Sequence, residues 1–336
     1  MPSKLWFEKG DVSKYRFIRG LSRSLIFVPG NNPRFLKKAT SSTADIICYD
    51  LEDSVPNKEK QKARVLIKKQ LRGGEEEESY YLLEPDIFVR INSPESGMVE
   101  ADLKEIVQDG IDGIVIPKVN SAKEIKKIEK TISSLEKKRK IKGIRLIPSI
   151  ESALGVMNCY EIASSSKRIV ALVFGIFDLL NDMGIEYTKG NPPGAKYSRY
   201  KVPVAAAAAG VAAIDGIWQD LKDKRGFTKD CKVGRSLGYS GKSVIHPDQI
   251  ETVHKIFRPN KPEIEWAKKV CNVYEKSTKK GKGATVVEGK MIDEVHYKRA
   301  KALLEYFSSK QRGRGRDREK LDEVTVKKYN YYHTNQ

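Results

Sequence analysis

The stretch that most constrains the fold is residues 145–178, where two short apolar runs each end in a carboxylate. The first run ends at Glu151 and the second at Asp178, and residues 153–164 between them have a helical pattern. We expect the apolar face of that helix to consist of Leu154, Met157 and Ile162. The pattern predicts a strand–helix–strand unit with one acid at the carboxyl end of each strand. In parallel α/β proteins, that end of the sheet carries the active site.

Glu151 and Asp178 are candidate ligands of one divalent cation. Carboxylates on neighbouring strand ends suit a hard cation such as Mg²⁺, and water and substrate oxygens would complete its coordination shell. Such a site favours a substrate that chelates, for instance a 2-oxo acid. The alternative is that either acid only caps the helix that follows its strand. Zinc is disfavoured because the chain has only 4 histidines.

The same alternation of apolar runs and helical patterns repeats along most of the chain. The predicted strands cover Leu25–Val28, Asp45–Asp53, Asp86–Asn92, Gly113–Lys118, Arg145–Glu151, Ile169–Asp178, Ala213–Trp218 and Gly241–His246. Eight such strands with intervening helices predict a TIM (β/α)₈ barrel over residues 21–258. We expect an N-terminal arm at 1–20, a further unit with helices at 259–307, and a flexible basic tail at 308–336. No glycine fingerprint of a Rossmann or P-loop protein follows any strand.

The composition narrows the functional class. Hydrophobic residues make up 39% of the chain, enough for a sizeable core, and no apolar run reaches the length of a membrane helix. The first 20 residues lack an apolar segment, so we expect no secretory signal. The 4 cysteines form neither a CxxC pair nor a zinc spacing. We therefore expect a reducing, cytoplasmic compartment.

The net charge of +19 leaves several kinds of partner open. It is compatible with nucleic acid, with a polyanionic small substrate or with a lysine-rich proteome. The charge is spread along predicted helices and the tail, without the interleaved aromatics of a nucleic-acid-binding module. We therefore do not expect nucleic-acid binding to be the main role.

Several single cations occupy positions where a substrate could bind. Arg90 either forms a surface ion pair or holds an oxyanion in the barrel mouth, and we favour the second interpretation. Lys118 could form a Schiff base, although a metal site makes that redundant. Arg34 and Lys38 lie either on a solvated helix face or in a clamp for phosphates. His246 either caps the barrel or contacts the substrate.

Three acids, Asp50, Glu52 and Asp53, end the second predicted strand. They are too closely spaced for all of them to be site residues, so we expect at least one to pair with a nearby cation. The candidate partners are Arg64, Lys58, Lys60 and Lys62.

A series of motifs identifies a family resemblance over residues 20–305. The motifs are Arg23-Ser-Leu-Ile-Phe-Val-Pro-Gly-Asn, Asp50-Leu-Glu-Asp-Ser-Val, Val89-Arg-Ile-Asn, Ile116-Pro-Lys-Val, Ile150-Glu-Ser-Ala-Leu-Gly, Phe174-Gly-Ile-Phe-Asp, Gly238-Tyr-Ser-Gly-Lys-Ser-Val-Ile-His-Pro and Gly289-Lys-Met-Ile-Asp. In these motifs and their order the chain resembles the citrate lyase beta-subunit-like proteins of the HpcH/HpaI aldolase superfamily, which act on CoA thioesters. The resemblance implies a TIM barrel with a C-terminal helical lid, assembled as a homotrimer or hexamer.

The resemblance also implies roles for individual residues. Mg²⁺ is expected at Glu151 and Asp178, and Arg90 matches a catalytic arginine that contacts the substrate. Asp293 matches a lid acid that serves as acid/base, in relatives at a neighbouring subunit's site. The positions where relatives bind substrate or CoA correspond to Phe27, Arg34, Lys38, Arg90, Glu151, Ile245 and His246.

The activity that the resemblance implies is a Mg²⁺-dependent carbon–carbon lyase. Its expected substrate is a 3-hydroxyacyl-CoA such as malyl-, citramalyl- or citryl-CoA, cleaved to acetyl-CoA and a 2-oxo acid or formed from them. The chain departs from many relatives at Ser152, Ile176 and Phe177, which flank the two metal ligands, so the substrate stays open. The alternative is a catalytically altered relative that acts as a nucleic-acid-binding or accessory protein through its basic surface and Arg-Gly tail.

Overall fold

A closed barrel of eight parallel strands dominates the computed structural model, which describes residues 22–72, 85–188 and 192–315 of the chain. The strands are β1 (Ser24–Pro29), β2 (Ile46–Asp50), β3 (Asp86–Arg90), β4 (Gly113–Ile116), β5 (Arg145–Ile150), β6 (Ala171–Phe174), β7 (Ala212–Asp215) and β8 (Gly241–Val244). Each strand pairs with the next, and β8 closes the barrel on β1. The predicted (β/α)₈ barrel is therefore confirmed.

Helices connect the strands of the barrel. They are α1 (Pro33–Ala39), α2 (Lys60–Arg72), α3 (Val99–Ile106), α4 (Ala122–Arg139), α5 (Ala153–Met157), α6 (Cys159–Ser164), α7 (Ile176–Asp182), α8 (Lys196–Ala208), α9 (Lys224–Ser236) and α10 (Ile250–Phe257). Their starts follow local sequence chemistry. Asn32 caps α1 by accepting from the backbone of Arg34 and Phe35, and Ser121 forms a capping box with Glu124 at α4.

Apolar side chains occupy both faces of the barrel strands. In β2, Ile46 and Cys48 belong to a cluster made of strand residues, whereas Ile47 and Tyr49 belong to the cluster shared with the helices. Successive side chains of a strand point to opposite faces, so these clusters are the barrel interior and the helix-facing layer. Burial on both faces explains why the strands are continuous apolar runs in the sequence.

The helix predicted at 153–164 differs from the prediction. It is divided at Asn158 into α5 and α6, and Asn158 donates from Nδ2 to the carbonyl oxygen of Asn120 at 2.9 Å. Leu154 and Met157 are 57% and 63% exposed, so they do not form the buried face that we expected. The helix is interrupted at Asn158, and of the three predicted residues only Ile162 is buried.

A second compact unit follows residue 258 and, among the described residues, covers 259–315. It consists of α11 (Lys261–Thr278), α12 (Glu294–Gly315) and an antiparallel pair of strands, β9 (Thr285–Val287) and β10 (Lys290–Ile292). Its buried apolar cluster includes Val270 and Tyr274 of α11 and Ile292 of β10. Glu288 and Gly289 connect the two strands with φ of 49° and 77°, the backbone of a tight hairpin turn.

The two predicted terminal segments have different outcomes. Residues 308–315, which we expected to begin a flexible tail, continue α12 in the structure. The predicted arm at 1–20 and the tail from 316 lie outside the described residues. Among the residues that the structure describes, no helix combines the length and apolarity needed to cross a membrane.

Candidate metal and active site

A buried ion pair joins the carboxyl ends of β2 and β3. Asp50 and Arg90 lie opposite each other in the strand register. Arg90 donates from Nε and from Nη2 to the two Asp50 oxygens, each at 2.7 Å. The ring of Phe27 lies 4.7 Å from the guanidinium carbon. Because the Arg90 side chain is only 12% exposed, this two-pronged contact fixes the direction of its guanidinium group.

A second cation, Lys118, lies just beyond the end of β4. Its ammonium nitrogen is 3.0 Å from Glu52 Oε1, 3.1 Å from Asp53 Oδ1 and 3.3 Å from Asp178 Oδ1. Its backbone N–H donates to Glu151 Oε2 at 3.2 Å. One lysine therefore contacts carboxylates that follow β2, β5 and β6.

The acids after β2 pair with cations other than those we expected. Arg64 pairs with Asp102 at 2.7 Å, and Lys60 donates to two backbone carbonyl oxygens, including that of Glu52 at 2.7 Å. The Glu52 carboxylate instead lies 3.1 Å from Nη1 of Arg90 and next to the ammonium group described above. The predicted side-chain pairing is wrong. Adjacent barrel strands bring cations that are distant in the sequence nearer to these carboxylates than the cations of the neighbouring helix are.

Neither Glu151 nor Asp178 caps the helix that follows its strand. The cap of α5 is Ser152, whose Oγ accepts from the backbone N–H of Gly155 at 2.9 Å. Asp178 is not at a strand end as predicted, because β6 ends at Phe174 and Asp178 lies in the first turn of α7. The amino-terminal end of a helix favours a negative charge, so a carboxylate is a favourable side chain in this turn.

Gly175 makes room for the Glu151 side chain. A Cβ atom at Gly175 would lie 2.3 Å from Glu151 Cγ and 2.7 Å from its Oε1. Glu151 is buried, whereas the side chain of Asp178 is 38% exposed. The Glu151 carboxylate is therefore enclosed, whereas that of Asp178 is accessible to solvent.

The buried carboxyl groups have strongly shifted pKa values. Burial raises the pKa of Glu52 to about 8 and that of Glu151 to about 7, and neighbouring carboxylates add to both increases while Arg90 opposes them. Burial also acts to raise the pKa of Asp50, but its contact with Arg90 outweighs that effect and holds the pKa below the ordinary value. Glu52 and Glu151 therefore lack full compensation of their negative charge.

We call five of these side chains the acidic cluster: Asp50, Glu52, Asp53, Glu151 and Asp178. The basic groups that interact with it are Arg90, Lys118 and Lys60. When all eight groups are ionised, two negative charges remain, which one divalent cation would neutralise. Both Glu52 side-chain oxygens are buried, and each faces a cation: Oε2 lies 3.1 Å from Nη1 of Arg90 and Oε1 lies 3.0 Å from Nζ of Lys118.

The donor set fits Mg²⁺, which binds through a few carboxylates and takes water or substrate oxygens for the remaining positions. Glu151 and Asp178 are the residues that would hold it, and both offer only oxygen donors. Within the described residues, no group of three or more His, Cys, Asp or Glu side chains is arranged to hold a metal. Substrate and water would therefore have to supply most of the coordination.

The predicted substrate-binding residues fall into two groups. Phe27 is part of the site through its contact with Arg90. Arg34 and Lys38 are exposed on α1, directly after β1. Ile245 and His246 are exposed directly after β8, and His246 Nδ1 accepts from the backbone N–H of Asp248 at 3.2 Å. His246 therefore caps the turn that directly follows β8.

Asp293 belongs to the second unit, immediately before α12. Its Oδ1 lies 2.6 Å from Nδ1 of His296 and accepts from the backbone N–H of Val295 at 3.0 Å. Hydrogen bonds from His296 lower the pKa of Asp293. The side chain is 38% exposed, so its carboxylate is accessible to solvent within this unit.

Sequence reasoning missed Glu52 and Lys118 as site residues. Glu52 was one of three adjacent acids, and nothing in the local sequence distinguishes the inward-facing one. Lys118 was considered only as a Schiff-base residue. The available signal was its position: it lies two residues beyond β4, as Arg90 lies at the end of β3, and strand ends meet at one edge of a barrel.

Comparisons with known proteins agree with this architecture. The model of the HpcH/HpaI aldolase/citrate lyase family matches residues 23–247. The chain is 36% identical to citrate lyase subunit beta of Leuconostoc mesenteroides subsp. cremoris, over 84% of this chain and 92% of that protein. It is 32% identical to the mitochondrial citramalyl-CoA lyase of Rattus norvegicus, over 89% of each chain.

A solved structure shares the fold. The CitE protein of Mycobacterium tuberculosis, determined with magnesium, acetoacetate and coenzyme A, superimposes with a TM-score of 0.66 and 24% identity. The match covers 85% of this chain and 97% of that one. At this level of identity the likeness establishes the common fold.

Proposed function

Because this chain belongs to the HpcH/HpaI aldolase/citrate lyase family, we propose that it is a Mg²⁺-dependent lyase of 3-hydroxyacyl-CoA thioesters. Lyase chemistry itself follows from relatives that are citrate lyase and citramalyl-CoA lyase proteins. The finer proposal is the reversible cleavage of malyl-, citramalyl- or citryl-CoA to acetyl-CoA and a 2-oxo acid.

One observation carries the proposal: at the carboxyl end of the barrel Lys118 contacts both Glu151 and Asp178, and Glu151 faces the charge of Arg90. A cation on the two carboxylates and the guanidinium group would together face a substrate with adjacent oxygen atoms. A 2-oxo acid has that arrangement, because its carbonyl and carboxylate oxygens can chelate one cation. The excess negative charge of the acidic cluster supports the metal part of the proposal.

The residues divide the chemistry between them. Glu151 and Asp178 would hold Mg²⁺, which would supply Lewis-acid polarisation of the substrate oxygen that becomes the carbonyl of the 2-oxo acid. Arg90 stabilises the negative charge that develops on substrate oxygen. Its contact with Asp50 maintains the orientation of the guanidinium group before substrate arrives, so little reorganisation is needed during the reaction.

We assign the proton transfer at the acetyl-CoA carbon to Asp293. In cleavage the substrate hydroxyl group loses its proton to water, the carbon–carbon bond breaks, and Asp293 protonates the released enolate as general acid; in the condensing direction the carboxylate removes that proton and the new hydroxyl group takes one from water. The lowered pKa that results from His296 favours the carboxylate form, which the condensing direction requires. Phe27, Arg34 and Lys38, together with Ile245 and His246, are the proposed contacts to CoA and substrate.

A direct assay tests the proposal. The purified chain is incubated with each of the three thioesters and Mg²⁺, and free 2-oxo acid is measured. We expect product with at least one thioester and none after addition of EDTA. Product formation that is insensitive to EDTA would refute the metal requirement, and no product from any thioester would refute the activity.

A pair of variants locates the metal ligand. Asp178→Asn should lower the rate at least about 100-fold, the scale of losing several kcal/mol of charge stabilisation. Asp182→Asn is the matched control, because Asp182 lies on the same helix and its Oδ2 accepts from the backbone N–H of Ala153 at 2.8 Å. Equal rates for the two variants would contradict the assignment of Asp178.

The assembly and location are also proposals. We propose a homotrimer or hexamer in the cytoplasm, as the family resemblance implies. Light scattering on the purified chain gives the mass directly, and a monomeric mass at working concentration would exclude this assembly.

A further inference from the structure

Lys118 places one ammonium group among carboxylates from separate parts of the barrel rim. Its Nζ lies 3.0, 3.1 and 3.3 Å from oxygens of Glu52, Asp53 and Asp178, respectively. An ammonium group has three N–H donors and no acceptor, so its capacity matches three carboxylate oxygens. Lys118 therefore acts as the central cation of this side of the acidic cluster.

The backbone of Lys118 is adapted to this position. Its φ is 50°, in the left-handed region that non-glycine residues rarely adopt. The same residue donates its backbone N–H to Glu151 Oε2 at 3.2 Å. Lys118 therefore contacts both candidate metal ligands, Glu151 through its backbone and Asp178 through its side chain. Strained conformations of this kind persist where the surrounding structure holds them, and they cluster at functional sites.

A divalent cation and the ammonium group cannot both make full use of Asp178. Mg²⁺ binds carboxylate oxygens at about 2.0–2.1 Å, so it would lie close to the oxygen that Lys118 now contacts. Two cations at one carboxylate repel each other, and the more highly charged one gains more from the contact. Asp178 is therefore the point at which the two cations compete.

We propose that Lys118 is a built-in counter-cation, a positioning residue that neutralises Asp178 in the metal-free protein and competes with Mg²⁺ for it. This inference rests on the metal site of the proposed function. When Mg²⁺ binds, the ammonium group gives up Asp178 and keeps Glu52 and Asp53. The free energy of the released contact is subtracted from that of metal binding, so Lys118 lowers the affinity of the site for Mg²⁺.

Calorimetric titration of the full chain with Mg²⁺ alone tests the inference without any thioester. Lys118→Met removes the charge and keeps the length of the side chain. We expect it to bind Mg²⁺ at least about tenfold more tightly than wild type, a change of about 1.4 kcal/mol. Lys118→Gly should show the same gain, and it suits the positive φ if the Met variant fails to fold.

Lys68→Met is the matched control. The Lys68 side chain is 34% exposed, against 35% for Lys118, and it pairs with Glu105 at 2.8 Å away from the acidic cluster. Its Mg²⁺ affinity should equal that of wild type. If Lys118 only supported the structure of the site, its loss would leave the affinity for Mg²⁺ unchanged or make it weaker. An unchanged or weaker affinity in both Lys118 variants would therefore overturn the inference.

A second measurement separates this inference from the proposed function. In EDTA, Lys118→Met should unfold at a lower temperature than wild type, and Mg²⁺ should raise its melting temperature by more than that of wild type. If these shifts occur but no thioester is cleaved, the inference stands and the proposed function fails. If thioesters are cleaved with Mg²⁺ but the Lys118 variants gain no affinity, the inference alone fails.

Discussion

The buried pair of Asp50 and Arg90 allows one substitution to be worked out quantitatively. In the wild-type protein, Oδ1 of Asp50 accepts from Nε of Arg90 and from the backbone N–H of Glu52. Oδ2 accepts from Nη2 of Arg90 and from the backbone N–H and hydroxyl of Ser54. Asp50→Asn keeps the shape of the side chain, removes its charge and replaces one of the two oxygens by an NH₂ group.

The magnitude follows from counting the donors that lose an acceptor. If NH₂ replaces Oδ1, two buried N–H donors face another donor, and if it replaces Oδ2, at least two do. Each costs about 1–3 kcal/mol, which gives about 2–6 kcal/mol in total. Breaking a buried ion pair from one side costs about 3–5 kcal/mol, in the same range. We therefore expect the free energy of unfolding to fall by about 3–5 kcal/mol.

Activity should fall as well, because the guanidinium group of Arg90 loses the contact that directs it. A shift of about 1 Å in a catalytic group costs about 100-fold in rate, so we expect a fall of that order in kcat/KM. Urea unfolding measures the stability loss through its midpoint, provided the slope stays constant. The thioester assay measures the activity under conditions where the variant is folded.

Asp45→Asn is the control for this prediction. Asp45 holds Arg23 by the same two-pronged contact, at 2.7 and 2.8 Å, but both residues precede their strands and lie at the amino end of the barrel. It should lose stability and keep its kcat. The reasoning is refuted if Asp50→Asn unfolds at the wild-type urea concentration, or if both variants lose activity equally.

Two further predictions concern pH and the glycine next to Glu151. Burial acts to raise the pKa of Asp45, but the hydrogen bond and charge of Arg23 outweigh it and hold the pKa below 3.8. The contribution of Asp45 to stability is therefore complete above that value and is lost as the pH falls through the folded-state pKa. In urea unfolding, Asp45→Asn should therefore reduce the dependence of the free energy of unfolding on pH at acidic pH. An unchanged dependence would contradict this. Gly175→Ala should lower kcat/KM by about 100-fold. The new Cβ would lie 2.3 Å from Glu151 Cγ, so the Glu151 side chain would have to move. The control Gly283→Ala meets no atom within 4 Å and should retain wild-type activity, and equal rates for the two variants would argue against a positioning effect.

The barrel was predictable because its strands leave a strong local signal. Each strand is buried on both faces, so the sequence contains a run of apolar residues at each position, and eight runs separated by helical patterns fit few other folds. The helix at 153–164 was less predictable. Its polar interruption at Asn158 is compatible with a continuous helix, and only packing against Asn120 showed that the chain divides there.

The site shows the same division at the level of single residues. Glu151 stood out as a candidate because a charged residue directly after a buried strand is chemically conspicuous, whereas Asp178, predicted at a strand end, lies in the first turn of α7. The partners of the acids after β2 were not identifiable, because Arg64 and Lys60 are nearer in sequence while the cations that contact Glu52 come from other strands. Ion pairing depends on distances of a few ångströms, and sequence separation does not specify such distances between strands.

The amino-acid sequence by itself determined the order of the helices and strands and the types of side chain at each strand end, since apolar periodicity and local capping act over a few residues. Only the tertiary structure decided that Asp50 holds Arg90 and that Lys118 lies between Glu52 and Asp178. Barrel closure is the physical reason, because it brings the ends of strands that are far apart in the chain to one rim, where charges must be matched at contact distance.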